Sequence, residues 1–257
     1  MRFKNKEVAI VTGGSKSIGA GISRVLAKEG CIVVIADIAV KEGLEVVKDI
    51  ETKGGEALFI KTNVSKEDEM EKLMSTVYEK YGRLNILINN AGIGGFKKVT
   101  ETTMEDWETC MNVDLKGVYL GCRFGIPYME KTGAGSIVNI SSVHALKSVN
   151  ACAAYDAAKG AVSALTRQVA IDYGPTIRVN DISPGWVHSD IVQGIFDGYD
   201  DPAAAQKEVE EKLLTKRIGT GEDIGYGCAF LCSDDATYIT GTQLVIDGGL
   251  SIVLEKW

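Results

Sequence analysis

Tyr155 and Lys159 are the residues of this sequence whose types and spacing best suit proton transfer. They lie four positions apart in the Ala-rich half of segment 136–166, a composition that favours a helix, so their side chains should share one helix face. An ammonium group beside a phenol lowers the pKa of the tyrosine toward neutrality, as a general acid and base requires. The same spacing also occurs by chance on exposed helices, so the rest of the sequence must show whether the two residues form a site.

Ser142 extends this pair. Segment 136–166 opens with an apolar run that predicts a buried strand ending at Ser141-Ser142. From the end of a strand, the Ser142 hydroxyl can reach the tyrosine and donate a hydrogen bond to a substrate oxygen. Ser142, Tyr155 and Lys159 therefore form a candidate proton-transfer site.

A glycine-rich turn near the amino terminus predicts a phosphate-binding loop. An apolar run over residues 7–12 leads into Gly13-Gly14-Ser15-Lys16-Ser17-Ile18-Gly19, and a helical pattern follows to residue 30. In this context phosphate binds at the helix N-terminus. The next apolar run, 31–37, ends at Asp37. In dinucleotide-binding folds a carboxylate there accepts hydrogen bonds from ribose hydroxyls and repels a 2′-phosphate.

Strand and helix patterns then alternate along the chain. Further strands are predicted at 57–61, 84–88, 177–182 and 243–246, and helices at 66–81, 104–131 and 222–231. Continuous apolar runs are typical of parallel strands that are buried on both faces. The chain is therefore predicted to be α/β, a doubly wound parallel sheet with helices on both faces, in a single domain over residues 1–257.

Composition excludes several other classes of function. The chain is 45% hydrophobic and 25% charged with a net charge of −7, which is ordinary for a globular protein and argues against a nucleic-acid partner. No apolar run approaches the roughly 20 residues that span a bilayer, and no signal-peptide pattern precedes the first strand. We therefore expect no membrane partner and a cytoplasmic location. The six cysteines form no C-x-x-C pair, so we expect no disulfide and no metal site.

In order and spacing, these motifs resemble those of the classical short-chain dehydrogenase/reductase family over nearly the whole chain. The similar segments are Thr12-Gly13-x-x-x-Ser17-Ile18-Gly19, Asn89-Asn90-Ala91-Gly92, Tyr155-x-x-x-Lys159 with Ser142 thirteen residues before it, Arg178-Val179-Asn180, Pro184-Gly185-x-Val187, and the tail from Asp234 to Gly249. The resemblance implies a Rossmann-like fold, NAD(P)-dependent interconversion of an alcohol and a carbonyl compound, and usually a tetramer.

The resemblance also implies a role for each matching residue. Tyr155 is expected to be the acid and base, and Lys159 to lower its pKa and hold the ribose. Ser142 is expected to orient the carbonyl, and Asn112 to sustain a water-linked proton relay. The residues expected to contact the cofactor are Gly13, Ser15, Ser17, Ile18, Gly19, Asp37, Asn63, Val64, Asn89, Ala91, Gly92, Tyr155, Lys159, Pro184, Gly185, Val187 and Ser189.

A few positions depart from the family pattern. Ser17 replaces the middle glycine, Asn63 an aspartate and Ser189 a threonine, and each keeps the capacity to form hydrogen bonds. Lys16 stands where relatives that prefer NADP often carry a basic residue. Because the Asp37 carboxylate is expected to face the 2′-phosphate directly, NAD(H) is the predicted cofactor, with NADP as the alternative.

The expected substrate is a small secondary alcohol or ketone that contacts His144 and Trp186. Ser142-x-His144 with Pro184-Gly185-Trp186 resembles 3-hydroxybutyrate dehydrogenases, but Cys152 replaces the lysine that would hold a carboxylate there. The region around Ser142 also resembles glucose 1-dehydrogenases. A sugar or hydroxysteroid dehydrogenase and an NADPH-dependent 3-oxoacyl-carrier-protein reductase remain open. A silent binding protein and a lyase or epimerase are rivals from other classes.

Two further expectations concern motion and assembly. Segment 189–214 follows the end of a strand and joins an apolar start to an acidic middle, so it is predicted to be a substrate lid rather than a static surface helix. The helix over 104–131 and the helix that carries Tyr155 have apolar or small residues on more than one face. With the family resemblance, these faces predict a homotetramer.

Overall fold

Seven parallel strands form a single sheet in the computed structural model of the protein, which describes residues 1–253. In chain order they are β1 (Val8–Thr12), β2 (Ile32–Asp37), β3 (Glu56–Lys61), β4 (Ile86–Asn89), β5 (Gly135–Ile140), β6 (Ile177–Pro184) and β7 (Gln243–Ile246). Their order across the sheet is β3-β2-β1-β4-β5-β6-β7. The predicted α/β class is confirmed.

Helices cover both faces of this sheet. Within residues 1–253 they are α1 (Ser17–Lys28), α2 (Val40–Thr52), α3 (Glu67–Tyr81), α4 (Met104–Cys110), α5 (Gly117–Thr132), α6 (Ala153–Tyr173), α7 (Asp190–Phe196), α8 (Pro202–Lys212) and α9 (Gly221–Cys232). Side chains of a strand alternate between the two faces. In β1, Ala9 and Val11 join the core on one face, while Val8 and Ile10 join the core on the other.

The strand order reverses between β1 and β4. The chain adds β2 and β3 on one side of β1 and then returns to its other side, where Ala9 pairs with Ile86. At such a reversal a crevice opens at the carboxyl ends of the strands, and ligands bind there. The motifs that were predicted to do chemistry follow β1, β4, β5 and β6, so they meet at this edge.

The helix α1 is held in place by α9. A Cβ on Gly21 would lie 2.2 Å from the carbonyl carbon of Gly221, so only glycine permits this approach. The glycine-rich loop before α1 is therefore anchored to the core through the helix that follows it.

The helix predicted over 104–131 is interrupted by a π-helical turn. Met111–Lys116 form this turn between α4 and α5. A π turn contains more residues than an α-helical turn, so it changes which side chains face the core. Here Asp114 is completely buried, whereas Asn112 is exposed.

The region between β6 and α9 contains no strand, as the sequence pattern predicts, and holds α7 and α8. Phe196, Leu213 and Ile218 form a small buried cluster there, separate from the two cores of the sheet. None of the α8 side chains is fully buried. No helix within the described part of the chain is long and apolar enough to cross a membrane.

The six cysteines are all buried and unbridged. Burial raises the pKa of both Cys122 and Cys232 to about 12. These thiols therefore stay protonated and act as small apolar side chains in the core.

Candidate active site

A groove of about 380 Å³ lies at the carboxyl edge of the sheet. Most of the residues predicted to bind a cofactor or do chemistry line it: Gly13, Ser17, Ile18, Gly19, Asp37, Asn63, Val64, Ala91, Gly92, Ser142, Tyr155, Lys159, Pro184, Gly185, Val187 and Ser189. The predicted residues that do not line it are Ser15, Asn89, Asn112, His144 and Trp186. The fold therefore gathers most of the predicted site in one place.

The loop between β1 and α1 has a shape that depends on its glycines. Gly13 has a φ of +62°, and a Cβ on Gly19 would lie 1.9 Å from the Gly13 carbonyl oxygen. Asn90, which follows β4, fixes the loop because its Nδ2 donates to the carbonyls of Thr12 at 2.9 Å and Gly13 at 3.0 Å. The loop opens onto the N-terminus of α1, where free N–H groups and the helix dipole favour a phosphate.

Ser17, which replaces a glycine of the family pattern, has a left-handed backbone with a φ of +50°. A side chain in that region costs about 1 kcal/mol. The Ser17 hydroxyl accepts a hydrogen bond from the backbone N–H of Asp190 at 3.2 Å. The serine thus keeps the backbone geometry of a glycine and joins the loop to the start of α7.

Asp37 ends β2 and presents its carboxylate to the groove. The two oxygens accept hydrogen bonds from the backbone N–H groups of Ser15 and Ala39, both at 3.0 Å, so the negative charge is held in place. Lys16 is already paired, because its Nζ lies 3.0 Å from the Glu42 carboxylate. The hydrogen bond to Glu42 and the negative charge of that carboxylate raise the pKa of Lys16.

Ser142, Tyr155 and Lys159 converge in the groove. Tyr155 and Lys159 share one face of α6, with Nζ 5.5 Å from the centre of the tyrosine ring. Ser142 follows β5, and its hydroxyl acts to lower the pKa of Tyr155. Lys159 donates to the Ile140 carbonyl at 3.1 Å. The Ser142 oxygen accepts the backbone N–H of His144 at 3.2 Å, which leaves the hydroxyl proton free for donation.

Asp114 completes this cluster although the sequence analysis did not single it out. Its Oδ2 lies 3.1 Å from Lys159 Nζ, and its Oδ1 accepts the backbone N–H of Ile93 at 2.8 Å. Asn112, predicted as the relay residue, is exposed. That prediction is corrected: the π turn directs residue 114 toward the lysine and residue 112 toward solvent.

The charges of the cluster set its protonation state. Burial raises the pKa of Tyr155, the Asp114 carboxylate adds to the rise, and the Lys159 ammonium and Ser142 hydroxyl act the other way. Burial lowers the pKa of Lys159, but the charges of Asp114 and Tyr155 outweigh it, so the net pKa is raised. The expected lowering of the tyrosine pKa is thus not found, because burial of the phenol, with a smaller contribution from the Asp114 charge, outweighs the effect of the Lys159 ammonium. At neutral pH Tyr155 is a phenol and Lys159 an ammonium.

Asn89 and Asn90 have different roles. Asn89 is 2% exposed, and its Nδ2 donates to Asn139 Oδ1 at 2.9 Å inside the protein, so it supports the sheet and does not line the groove. Asn90, which the sequence analysis did not select, binds the glycine loop. Adjacent residues of a strand point to opposite faces, and this alternation is the signal that could have separated the two.

The two residues expected to contact the substrate also differ. Trp186 stacks on Phe196, with ring centres 5.6 Å apart and an interplanar angle of 16°, so it packs under α7 and does not line the groove. His144 contacts the edge of the Tyr155 ring, with centres 5.5 Å apart. Of these two residues, His144 is the one beside the catalytic tyrosine.

His144, Cys152 and Asp156 offer ligand atoms that all lie within 4.8 Å of one another. His144 Nδ1 is, however, bonded to Asp156 at 2.7 Å, and the Cys152 thiol donates to the Asn150 carbonyl at 3.6 Å. A metal ion would have to displace both bonds. The absence of a metal site stays a prediction.

Known proteins resemble the chain over almost its whole length. A family model described as enoyl-(acyl carrier protein) reductase matches residues 13–251. Cyclopentanol dehydrogenase of Comamonas sp. (strain NCIMB 9872) is 35% identical over 95% of this chain and 97% of its own length. Meso-2,3-butanediol dehydrogenase of Serratia marcescens is 38% identical over 97% of this chain and 96% of its own. The ligand-free structure of Thermoplasma acidophilum aldohexose dehydrogenase has a TM-score of 0.90 at 32% identity, covering 98% of this chain and 96% of that one.

A doubly wound parallel sheet with a glycine-loop groove and a Ser-Tyr-Lys cluster defines an oxidoreductase that works with a nicotinamide cofactor. The matched family model and the dehydrogenase relatives agree with that class. The chain belongs to the short-chain dehydrogenase/reductase family, as its motifs indicated.

Proposed function

We propose that the enzyme interconverts a secondary alcohol and a ketone with NAD(H). The observation that carries this proposal is the meeting of Ser142, Tyr155 and Lys159 in the groove that begins at the glycine loop. A proton donor beside a dinucleotide groove suits hydride transfer at a carbon–oxygen bond.

The residues present fit a nicotinamide dinucleotide. Gly13 and Gly19 form a backbone cradle at the N-terminus of α1 that would receive the pyrophosphate. Gly92 keeps space beside the catalytic cluster, because a Cβ there would lie 2.9 Å from Asp114 Oδ2 and 3.2 Å from Lys159 Nζ. When bound, the cofactor supplies or accepts the hydride at the substrate carbon.

The residues of the cluster supply the proton chemistry. Tyr155 protonates the carbonyl oxygen in reduction and removes the hydroxyl proton in oxidation, while Ser142 donates a hydrogen bond to the same oxygen. Because the pKa of Tyr155 is raised, the acid role is favoured at neutral pH and the base role at higher pH. Lys159 lies 3.1 Å from both Asp114 Oδ2 and the Ile140 carbonyl, and its charge stabilises the phenolate that reduction leaves.

NAD(H) is proposed over NADP(H) because of the charges at the adenosine end of the groove. The fixed Asp37 carboxylate would accept ribose hydroxyls and repel a 2′-phosphate. Lys16, a cation that lines the groove, is paired with Glu42 at 3.0 Å. Ile38, next to Asp37, is 64% exposed and offers no positive charge.

Replacing Asp37 tests the cofactor proposal. We expect wild-type kcat/KM to be at least about tenfold higher with NADH than with NADPH, and Asp37→Ala to reduce that ratio by about tenfold, since one repulsive contact is lost. Initial rates at 340 nm with both cofactors measure the ratio. Glu45→Ala removes the same charge from an exposed site on α2 and is the matched control. A wild-type preference for NADPH would contradict the proposal.

The proposed substrate is neutral. By their names the two relatives act on cyclopentanol and on 2,3-butanediol, and the structural neighbour acts on an aldohexose, all uncharged compounds. The structural neighbour favours a sugar dehydrogenase as the second candidate, and the description of the family model keeps an acyl-carrier-protein reductase as a third.

A panel of alcohols and ketones tests the proposed activity. Cyclic and acyclic ketones with NADH, and the matching secondary alcohols with NAD⁺, are followed at 340 nm. We expect turnover of at least one pair in both directions. NADH binding, seen by its fluorescence, without turnover of any compound would contradict the activity and favour a binding protein.

We further propose a cytoplasmic homotetramer in which segment 189–214 is a lid. Apolar side chains on the outer faces support the assembly: Met104, Tyr119 and Ile171 are 69%, 44% and 75% exposed, and burying them would be favourable. Light scattering at micromolar concentration is the test of assembly. A single species of 27.6 kDa would contradict the tetramer.

A further inference from the structure

His144 and Asp156 form a pair beside the catalytic tyrosine that the proposed chemistry does not use. Nδ1 of the ring and Oδ1 of the carboxylate are 2.7 Å apart, and the side chains are 20% and 18% exposed. A carboxylate can only accept a hydrogen bond, so Nδ1 donates. Asp156 therefore fixes both the orientation of the ring and the nitrogen that carries its proton.

The second ring nitrogen is left available. Within residues 1–253, the hydrogen bonds of His144 run from Nδ1 to Asp156 and from the backbone N–H to Ser142, and Nε2 has none. In the neutral ring, Nε2 is an acceptor. The ring meets Tyr155 at 78° with centres 5.5 Å apart. The ring that carries this acceptor is therefore held against Tyr155, and the backbone N–H of the same residue is bonded to Ser142.

The neighbouring cavity has a mixed lining. Phe96 lies against Tyr155 with ring centres 5.9 Å apart, and it is 43% exposed. Ile93, Gly94 and Gly95 line the same cavity, together with the polar residues Lys97, Thr102, Glu105, Asp106 and Thr109. Next to an apolar group such as Phe96, an acceptor favours a ligand hydroxyl over a methylene group, because an apolar ligand would displace water from Nε2 without replacing its hydrogen bond.

We propose that Nε2 of His144 accepts a hydrogen bond from a second hydroxyl of the substrate, on the carbon next to the reacting one. The substrate class is then a vicinal diol and its product an α-hydroxy ketone. This inference rests on the proposed function and narrows it. The reacting carbon gives its hydride to NAD⁺ and its oxygen gives a proton to Tyr155, while the second hydroxyl keeps all its bonds.

Asp156 is a positioning residue in this arrangement, because it acts through His144. Its negative charge also disfavours a substrate carboxylate at the same place. A hydroxy acid is therefore not the expected substrate, although the residues around Ser142 resemble those of 3-hydroxybutyrate dehydrogenases.

Matched substrate pairs test the inference. kcat/KM with NAD⁺ is measured for 2,3-butanediol against 2-butanol, and for trans-1,2-cyclohexanediol against cyclohexanol. We expect the wild type to prefer each diol by at least about tenfold, the value of one hydrogen bond shielded from water. His144→Phe keeps an aromatic ring but removes the acceptor, so the ratio of kcat/KM for the diol to kcat/KM for the mono-alcohol should fall to about one.

Variants of Asp156 show whether this residue orients the His144 ring or only supports the fold. Asp156→Ala should raise KM for the diol more than it lowers kcat, because the ring is no longer aligned. Asp156→Asn keeps an oxygen that can accept from Nδ1, so it should restore most of the preference. Asp172→Ala removes a charge from an exposed position on α6 and should change nothing. NADH fluorescence titration should give the same affinity for all these variants.

Each outcome separates this inference from the function on which it rests. Equal wild-type kcat/KM for diols and mono-alcohols would overturn the inference and leave the proposed function standing. So would a preference for 3-hydroxybutyrate, which would indicate an anion bound by protonated His144. No turnover of any alcohol would overturn both. If His144→Phe does not bind NADH, the comparison of Asp156→Ala with Asp156→Asn decides.

Discussion

The catalytic cluster and the segment over 189–214 border the same groove but are built in opposite ways. Lys159 and Ser142 are 4% and 6% exposed and Asp114 is completely buried, on elements that pack against the sheet. In the segment, α8 has no fully buried residue, and Phe196 belongs to a small cluster apart from the sheet cores. The difference teaches that elements packed on the sheet position the catalytic cluster, whereas segment 189–214 has few buried side chains to hold it in one place.

The largest effect should follow from removing the proton donor. Tyr155→Phe keeps the ring and its packing but not the hydroxyl, so turnover should fall by at least about 100-fold, as is typical for a lost general acid or base. Steady-state rates and NADH affinity should be measured together, because affinity is expected to stay unchanged. Near-normal turnover by Tyr155→Phe would show that Tyr155 is not the proton donor of the reaction.

The buried layer beneath the cluster should show a large effect on stability. Asp181 on β6 is 1% exposed, accepts a hydrogen bond from the Ser163 hydroxyl at 2.9 Å, and burial raises its pKa to about 6. Asp181→Asn keeps the acceptor and removes the charge. We expect it to increase the free energy of unfolding at pH 8 by up to about 3 kcal/mol, the equivalent of about two pKa units.

The size of this effect depends on pH. Below about pH 4, Asp181 is protonated in both the folded and the unfolded chain, so its ionisation does not change the free energy of unfolding. Between about pH 4 and 6 the unfolded chain releases its proton while the folded one keeps it, so wild-type stability falls as pH rises. Urea unfolding at pH 5 and pH 8 should show a larger gain for Asp181→Asn at pH 8. An equal gain at both values would contradict the buried charge.

Asp114 should have a smaller effect, on the pH profile of the reaction. Burial is the main cause of the raised pKa of Tyr155, and the Asp114 carboxylate adds to the rise, so Asp114→Asn should move the pH of half-maximal alcohol oxidation to a lower value. Cys110, the other acidic neighbour, stays neutral because burial raises its pKa to about 11.

Steady-state rates of alcohol oxidation, measured across the pH range at saturating NAD⁺, give this shift. Glu108→Gln removes an exposed carboxylate from α4 and should leave the profile in place. A profile that Asp114→Asn does not move would mean that the aspartate only supports the fold.

The smallest expected effect is on the amide hydrogen exchange of segment 189–214. Segment 189–214 should exchange its amide hydrogens faster than the sheet strands in the free enzyme and more slowly once NAD⁺ and an alcohol are bound. Hydrogen exchange resolved by peptide, with and without both ligands, is the measurement. If the amides of segment 189–214 are equally protected with and without ligands, the segment is a static surface helix. It would then differ from the catalytic cluster in burial but not in mobility.

Much of the fold could be predicted because its signals are local. The strand β7 has the bounds predicted for it, and β6 extends the predicted run by two residues to Pro184. The signal is clearest in β1 and β2, since buried parallel strands appear as nearly unbroken apolar runs. Tyr155, Lys159 and Ser142 could also be predicted, because one helix turn and one strand end place them together.

The rest depends on geometry that no local pattern carries. Asp114 was missed because a π turn breaks the helical period, and a count of 3.6 residues per turn does not show where the extra residue falls. Asn89 was chosen over Asn90 because the motif does not show which of these two adjacent side chains points toward the groove. The bond between His144 and Asp156 joins a loop after β5 to the start of α6, and only the folded chain brings the two together.

The return of β4 to the side of β1 has a consequence for how activity appears as the chain folds. The bond from Asn90 to the Thr12 carbonyl that fixes the glycine loop joins residues 78 positions apart, so it closes a long loop of chain. Contacts of such high sequence separation are slow to form, whereas helices such as α1 and α3 need only their neighbours. A refolding chain will therefore regain its helical signal before it can hold a dinucleotide, and until then the edge of β1 that awaits β4 is an open site for pairing with other chains.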